Sequence, residues 1–250
     1  MIQAVVFDLD GVLLDSERVW DEARRGVVEQ NGGQWRAEAT GAMQGMSARE
    51  WSGYLRDRLL LDLDADRIVE LVVGQVLARY EKALPTVPGA SEVLEGLSRR
   101  WPLALASSSN REVIDQVLAL TGWAALFRAT VSSDEVARGK PFPDVYVETV
   151  RRLSEPTEAC VAVEDSGNGI RSALAARLAV VAIPNRDYPP PADVLRRADR
   201  VVERLEDVTV ALVEDLGRER ETRREQRLDE QEAESFPASD PHSDWAGPPP

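Results

Sequence analysis

The sequence predicts an α/β protein whose parallel sheet, flanked by helices, is interrupted after its first strand by an inserted all-helical domain. Three observations lead there. Ile2–Phe7 is a short β-branched apolar run that stops at Asp8-Leu9-Asp10-Gly11, the length and stop of a buried strand rather than half a helix. From Ser16 to about Ala83 only helical signals follow. After Pro85-Thr86-Val87-Pro88-Gly89, strand and helix patterns alternate, and such βαβ units with apolar strands imply a parallel sheet covered on both faces.

The helical block begins near Ser16, whose hydroxyl is placed to cap a helix carrying Trp20, Ala23 and Val27, and that helix stops at Asn31-Gly32-Gly33. Ser47 and Glu50 have capping-box spacing for a second helix. A third runs over 65–82, with Ile68, Leu71, Val72 and Leu77 as its apolar stripe. Downstream, strands are expected at 103–106, 129–131, 160–163, 179–183 and 200–202. Helices are expected at about 90–100, 111–120, 144–153 and 169–176. The chain therefore divides into a Rossmann-like core (1–15 and 84–216), a helical cap (16–83) and a tail (217–250) with 9 acidic and 5 basic side chains. With few large apolar residues, that tail reads as largely disordered.

Composition narrows the chemistry. The chain has 250 residues, 30 basic and 44 acidic, for a formal net charge of −14. That surface excludes DNA or RNA as the main partner. The single cysteine, Cys160, excludes a disulfide framework and thiolate zinc sites. The only histidine, His242, lies near the end, which argues against a histidine base, a Ser-His-Asp triad or a histidine-ligated metal. No run approaches the ~18 apolar residues of a membrane span, and no signal sequence opens the chain, so a cytoplasmic protein without membrane partners is expected.

Four segments carry the remaining signal. Asp8-Leu9-Asp10-Gly11, Ser107-Ser108-Ser109-Asn110 and Glu164-Asp165-Ser166-Gly167-Asn168-Gly169 each follow an expected strand directly, and Gly139-Lys140-Pro141 lies in a loop before a helix. The carboxyl edge of a parallel sheet is where such folds bind ligands. If Asp8, Asp10, Glu164 and Asp165 converge there, each like-charged pair ~4 Å apart costs about 4 kcal/mol at an effective dielectric near 20. Lys140 offsets one charge; an oxygen-ligated divalent cation, Mg²⁺ before others, resolves the rest. A phosphoryl group then fits between that ion, Lys140 and the Ser107 hydroxyl, with Ser108 and Asn110 beside it. Asp8 would attack phosphorus, and Asp10, two residues on and projecting the same way, would shuttle the proton.

Asp8-Leu9-Asp10-Gly11-Val12-Leu13-Leu14-Asp15-Ser16 resembles the first motif of the haloacid dehalogenase-like hydrolases, and Ser107, Lys140 and Glu164-Asp165 resemble the second, third and fourth. The helical insertion after the first motif is similar to the subfamily I cap of β-phosphoglucomutase-like phosphatases. The resemblance implies Asp8 as nucleophile and Asp10 as general acid/base. It also implies Mg²⁺ on Asp8, the Asp10 carbonyl and Asp165, with Glu164 binding directly or through water. Gly45 and Arg49 are the expected cap contacts to substrate. A small phosphomonoester, with a sugar phosphate as one candidate, is the expected partner of a monomer or weak homodimer. A phosphosugar mutase is the alternative. Against it, Ala48 stands where the similar mutases carry their cap arginine, and Trp20 where they carry a histidine.

Overall fold

The structure, a computed structural model, describes residues 1–43 and 45–235. Six strands form one sheet: β1 (Ala4–Phe7), β2 (Leu103–Ser107), β3 (Phe127–Ser132), β4 (Cys160–Glu164), β5 (Ala179–Ala182) and β6 (Arg200–Val201). Their order is β3-β2-β1-β4-β5-β6, every pair is parallel, and β1 lies between β2 and β4. Alternation splits the strands cleanly. Val5, Phe7, Leu103, Leu105, Val161 and Val163 pack on one face. Ala4, Val6, Ala104, Ala106, Ala162 and Val180 pack on the other. Both faces are buried, which is why these strands are apolar at successive positions until their carboxyl ends, where Ser107 and Glu164 stand.

Ten α-helices are described. α1 (Glu17–Gln30), α2 (Ala39–Met43), α3 (Ala48–Arg58) and α4 (Ala65–Lys82) form the insertion. The others are α5 (Ala90–Ser98), α6 (Arg111–Thr121), α7 (Asp144–Leu153), α8 (Gly167–Ala175), α9 (Ala192–Leu195) and α10 (Val210–Ser235). The bulkier face of the sheet is continuous with the core of the insertion through Trp20, Val27, Leu55, Ile68 and Val76. The chain leaves for the insertion and returns from it along one seam. Asp15 N–H donates to Pro85 O at 2.8 Å and Val87 N–H to Leu13 O at 2.9 Å. Leu14 and Thr86 form an isolated antiparallel bridge.

The expected disorder from residue 217 is overturned as far as Ser235, because α10 runs on to that residue; residues 236–250 lie outside those described. The helix starts on buried Val213 and Leu216. Its next turns dock by charge: Arg220 and Arg223 reach the Asp199 carboxylate at 3.3 and 3.4 Å, and Asp199 also accepts from the Val180 N–H. Once nucleated by those turns, a helix extends cheaply through Arg- and Glu-rich sequence.

Candidate active site

The site lies at the carboxyl edge of β1, β2 and β4, under the insertion. β1 ends at Phe7, and the backbone N–H of Asp8 donates to Val163 O at 3.0 Å, fixing the first residue past the strand against its neighbour. Gly11 closes the turn with φ +83°, and a β-carbon there would lie 1.9 Å from Asp165 Oδ2. Only glycine permits both that backbone and that approach.

Lys140 Nζ meets three acceptors: Asp8 Oδ1 at 2.7 Å, Glu164 Oε1 at 2.5 Å and Ala106 O at 3.0 Å. All three N–H bonds of the ammonium are thereby used. Burial opposes its charge, but Asp8 and Glu164 outweigh burial and hold it above the ordinary lysine range. Glu164 is fully buried. Its Oε1 also accepts from the Tyr146 hydroxyl at 2.7 Å, and its Oε2 faces the N–H groups of Asp165 and Ser166 at 3.2 and 3.4 Å.

One carboxylate oxygen each from Asp8, Glu164 and Asp165 lie within 4.8 Å of one another. Burial, with Glu164 and Asp10 adding repulsion against the attraction of Lys140, pushes the Asp8 carboxyl up to about 8. Burial, then Glu164 and Asp8, hold Asp165 well above the usual carboxylate range. One ammonium leaves this cluster short of positive charge, and its donors are hard oxygens, the set that suits a divalent cation such as Mg²⁺.

Asp10 stands apart from these three. Its Oδ1 accepts from the Ser16 hydroxyl at 2.5 Å and the Trp20 indole N–H at 3.1 Å, and its Oδ2 from the Ser109 hydroxyl at 2.5 Å. Ser16 therefore does not cap α1 with its side chain; the hydroxyl turns back to Asp10. The expected capping partner Glu50 does hold Ser47, accepting from its N–H and its hydroxyl at 2.8 Å each.

The serine segment rearranges the expectation. Ser108 and Ser109 line the cavity between core and insertion, whereas Ser107 and Asn110 do not. Ser107 is the last residue of β2, and its buried Oγ accepts from the Ser109 N–H at 3.0 Å. Asn110 turns away at the start of α6 and donates to Asp134 Oδ2 at 3.0 Å. Of the two expected insertion contacts, Gly45 lines the cavity and Arg49 is exposed on α3 outside it. Gly45 has φ +67°, and a β-carbon there would crowd Asn168 Cβ at 3.2 Å and Ser166 Oγ at 3.3 Å. Its carbonyl accepts from the Ser108 hydroxyl at 3.2 Å, tying the insertion to the core directly over the site.

Sequence reasoning did not name Arg24 or Glu17 and gave Ser109 no role of its own, yet all three line the cavity. Arg24 sits three and four residues from positions already read as helical core, so its spacing alone looked no different from a solvated arginine. The cavity itself is about 40 Å³, room for roughly three waters. Among the described residues, no helix is long and apolar enough to cross a membrane.

Residues 2–177 match the haloacid dehalogenase-like hydrolase family. The chain belongs to that family. Within it, the chain is 32% identical over 177 residues to the phosphorylated carbohydrates phosphatase of Thermotoga maritima, covering 70% of this chain and 82% of that protein. It is 30% identical over 206 residues to the bifunctional riboflavin kinase/FMN phosphatase of Arabidopsis thaliana, covering 82% of this chain but only 54% of that longer protein. Among solved structures, CbbY of Rhodobacter sphaeroides in complex with phosphate superposes with a TM-score of 0.76 at 25% identity, covering 86% of this chain and all of that one. The segments that resemble the family's motifs, Asp8–Asp10, the serine turn after β2, Lys140 and Glu164–Asp165, gather at one edge of one sheet.

Proposed function

We propose that this haloacid dehalogenase-like hydrolase is a Mg²⁺-dependent phosphatase for a small phosphomonoester, in particular a sugar phosphate. It would act through an aspartyl-phosphate on Asp8. The observation that carries the reading is the Asp8 carboxylate at the mouth of β1, held by Lys140 and grouped with Asp165 and Glu164 beside a cavity closed by the insertion. The phosphatase activities named for its relatives support it.

Asp8 and Asp165 would hold the ion, with the Asp10 carbonyl as a third ligand. Glu164, whose two oxygens already accept bonds, would add its charge to the same site, directly or through water. The ion would neutralise phosphate charge and keep Asp8 ionised. An Asp8 carboxylate oxygen attacks phosphorus while the bond to the ester oxygen breaks, and Asp10 gives its proton to that leaving oxygen. Water then attacks the aspartyl-phosphate, Asp10 takes back a proton, and orthophosphate departs. Lys140 would hold Asp8 in place and offset charge beside the phosphoryl group, and Ser108 and Ser109 line the same space.

A 40 Å³ cavity does not admit a sugar phosphate, so the insertion must swing open about the paired segments around Leu13–Asp15 and Pro85–Val87. Trp20, rather than the histidine of the similar mutases, faces Asp10. Hydrolysis is therefore favoured over isomerisation. A panel of phosphomonoesters assayed for orthophosphate release with and without Mg²⁺ tests this; release that ignores Mg²⁺, or isomerisation of a hexose 1-phosphate without release, contradicts it.

A further inference from the structure

Arg24 has no part in the chemistry just described, yet it is only 7% exposed and lines the same cavity as Asp8. Its guanidinium carbon lies 5.1 Å from the ring centre of Trp20 and 5.4 Å from that of Trp51. The two indoles are themselves 6.3 Å apart at 59°, so they form a slot around the cation. Glu17, Trp20 and Arg24 fall three, four and seven residues apart on α1, which sets all three on one helix face toward the cavity. The Arg24 Nε is buried and has no hydrogen-bond partner.

That is a costly arrangement for an idle residue. A buried charged donor left without an acceptor forfeits hydration that the two ring contacts return only in part. Glu17, Asp10 and Asp21 give the guanidinium a favourable field, but burial outweighs them. Of the two cations lining the cavity among the described residues, Lys140 has committed all three N–H bonds to Asp8, Glu164 and Ala106. Arg24 keeps an unmet donor. Its planar fork, fixed between ring faces, matches an acceptor with two oxygens in one plane better than a lone hydroxyl.

We propose that Arg24 is the anchor for a second anionic group on the substrate, a phosphate or a carboxylate at the end remote from the scissile phosphate, so that the preferred ester is doubly anionic. This rests on the phosphatase reading. In it, the scissile phosphate would lie at Asp8 beside the ion, with Lys140 lending its charge, and Arg24 fixes the far end of the carbon chain. The substrate, on binding, would supply the acceptor that Nε lacks.

The test compares kcat/KM for three esters: a pentulose bisphosphate, the matching pentulose monophosphate, and a phosphorylated aldonic acid. The wild-type protein should favour at least one doubly anionic ester over the monophosphate by about 30-fold, the scale of one charge-assisted hydrogen bond in a dry site. Whichever of the two wins identifies the second group as phosphate or carboxylate. In Arg24→Met the preference should collapse toward parity, and Arg24→Lys should restore part of it. A wild-type enzyme without the preference overturns the assignment. So does an Arg24→Met protein that loses activity on all three esters alike, as a merely structural residue would. If no ester is hydrolysed, the phosphatase reading itself fails, and the anchor is judged by thermal shift with the same compounds. Greater stabilisation by a doubly anionic ester in wild type, absent in Arg24→Met, then upholds it, and equal shifts refute it.

Discussion

Glu164 Oε1 lies 2.5 Å from Lys140 Nζ, and the same ammonium lies 2.7 Å from Asp8 Oδ1, so one buried lysine ties the end of β4 to the end of β1. Both carboxyl groups that Lys140 holds are buried, and removing the cation leaves them side by side without their shared partner. Breaking a buried ion pair from one side costs about 3–5 kcal/mol. Lys140→Met should lower unfolding free energy by about that amount in urea titrations at pH 8 without divalent ions. A loss under about 1 kcal/mol would mean the network is not formed.

The raised carboxyl of Asp8 has a consequence for pH. Its folded value, about 8, exceeds the ordinary 3.8, so between those values the metal-free fold holds a proton that the unfolded chain releases. That contribution to stability is complete below about pH 4 and disappears as pH climbs toward 8. A cation bound by Asp8 must displace the same proton, so its affinity rises over the same window. The increase in melting temperature produced by Mg²⁺ should accordingly be larger at pH 8 than at pH 6. Equal increases would place the ion elsewhere.

Three donors hold Asp10, and two come from outside its own strand end: Trp20 on α1 and Ser109 after β2. Ser109→Ala and Trp20→Phe each remove one donor without moving the chain. If Asp10 moves the proton, each should lower kcat about tenfold and change KM less, the loss expected for one bond to a charged group. A rise in KM with kcat intact would make these residues substrate contacts instead.

Along α10, burial rather than helicity should decide which side chains matter. Leu216 is fully buried and Leu228 is half exposed on the same helix. Leu216→Ala should cost about 2–5 kcal/mol in chemical denaturation, and Leu228→Ala less than about 0.5 kcal/mol. Comparable losses would mean that the outer turns of the helix pack against something.

Much of the site was legible because its chemistry is local in sequence. Asp8, Asp10, Glu164 and Asp165 directly follow apolar runs, and a parallel sheet carries every such residue to one edge. What was not legible depends on packing between distant segments. The choice among Ser107, Ser108 and Ser109 rests on a bond from Ser109 to Asp10, 99 residues away. Arg24 becomes a cavity residue only because Trp51, from α3, closes over it. Arg49, the expected contact on α3, is exposed outside the cavity, a placement that its helical spacing does not reveal. The length of α10 was the least legible part: 219–234 reads as a charged helix only by propensity, because it has no apolar face and its anchoring turns are short.

The central claim is that Asp8 carries the phosphoryl group. It is tested most directly by acid-quenching the Mg²⁺-loaded protein during turnover of a phosphomonoester and mapping the modification by peptide mass spectrometry. A phosphoryl group on the peptide containing Asp8, absent from Asp8→Asn, is the predicted result. Continued Mg²⁺-dependent hydrolysis by Asp8→Asn, with no phosphoryl group on Asp8 in the wild type, would contradict it.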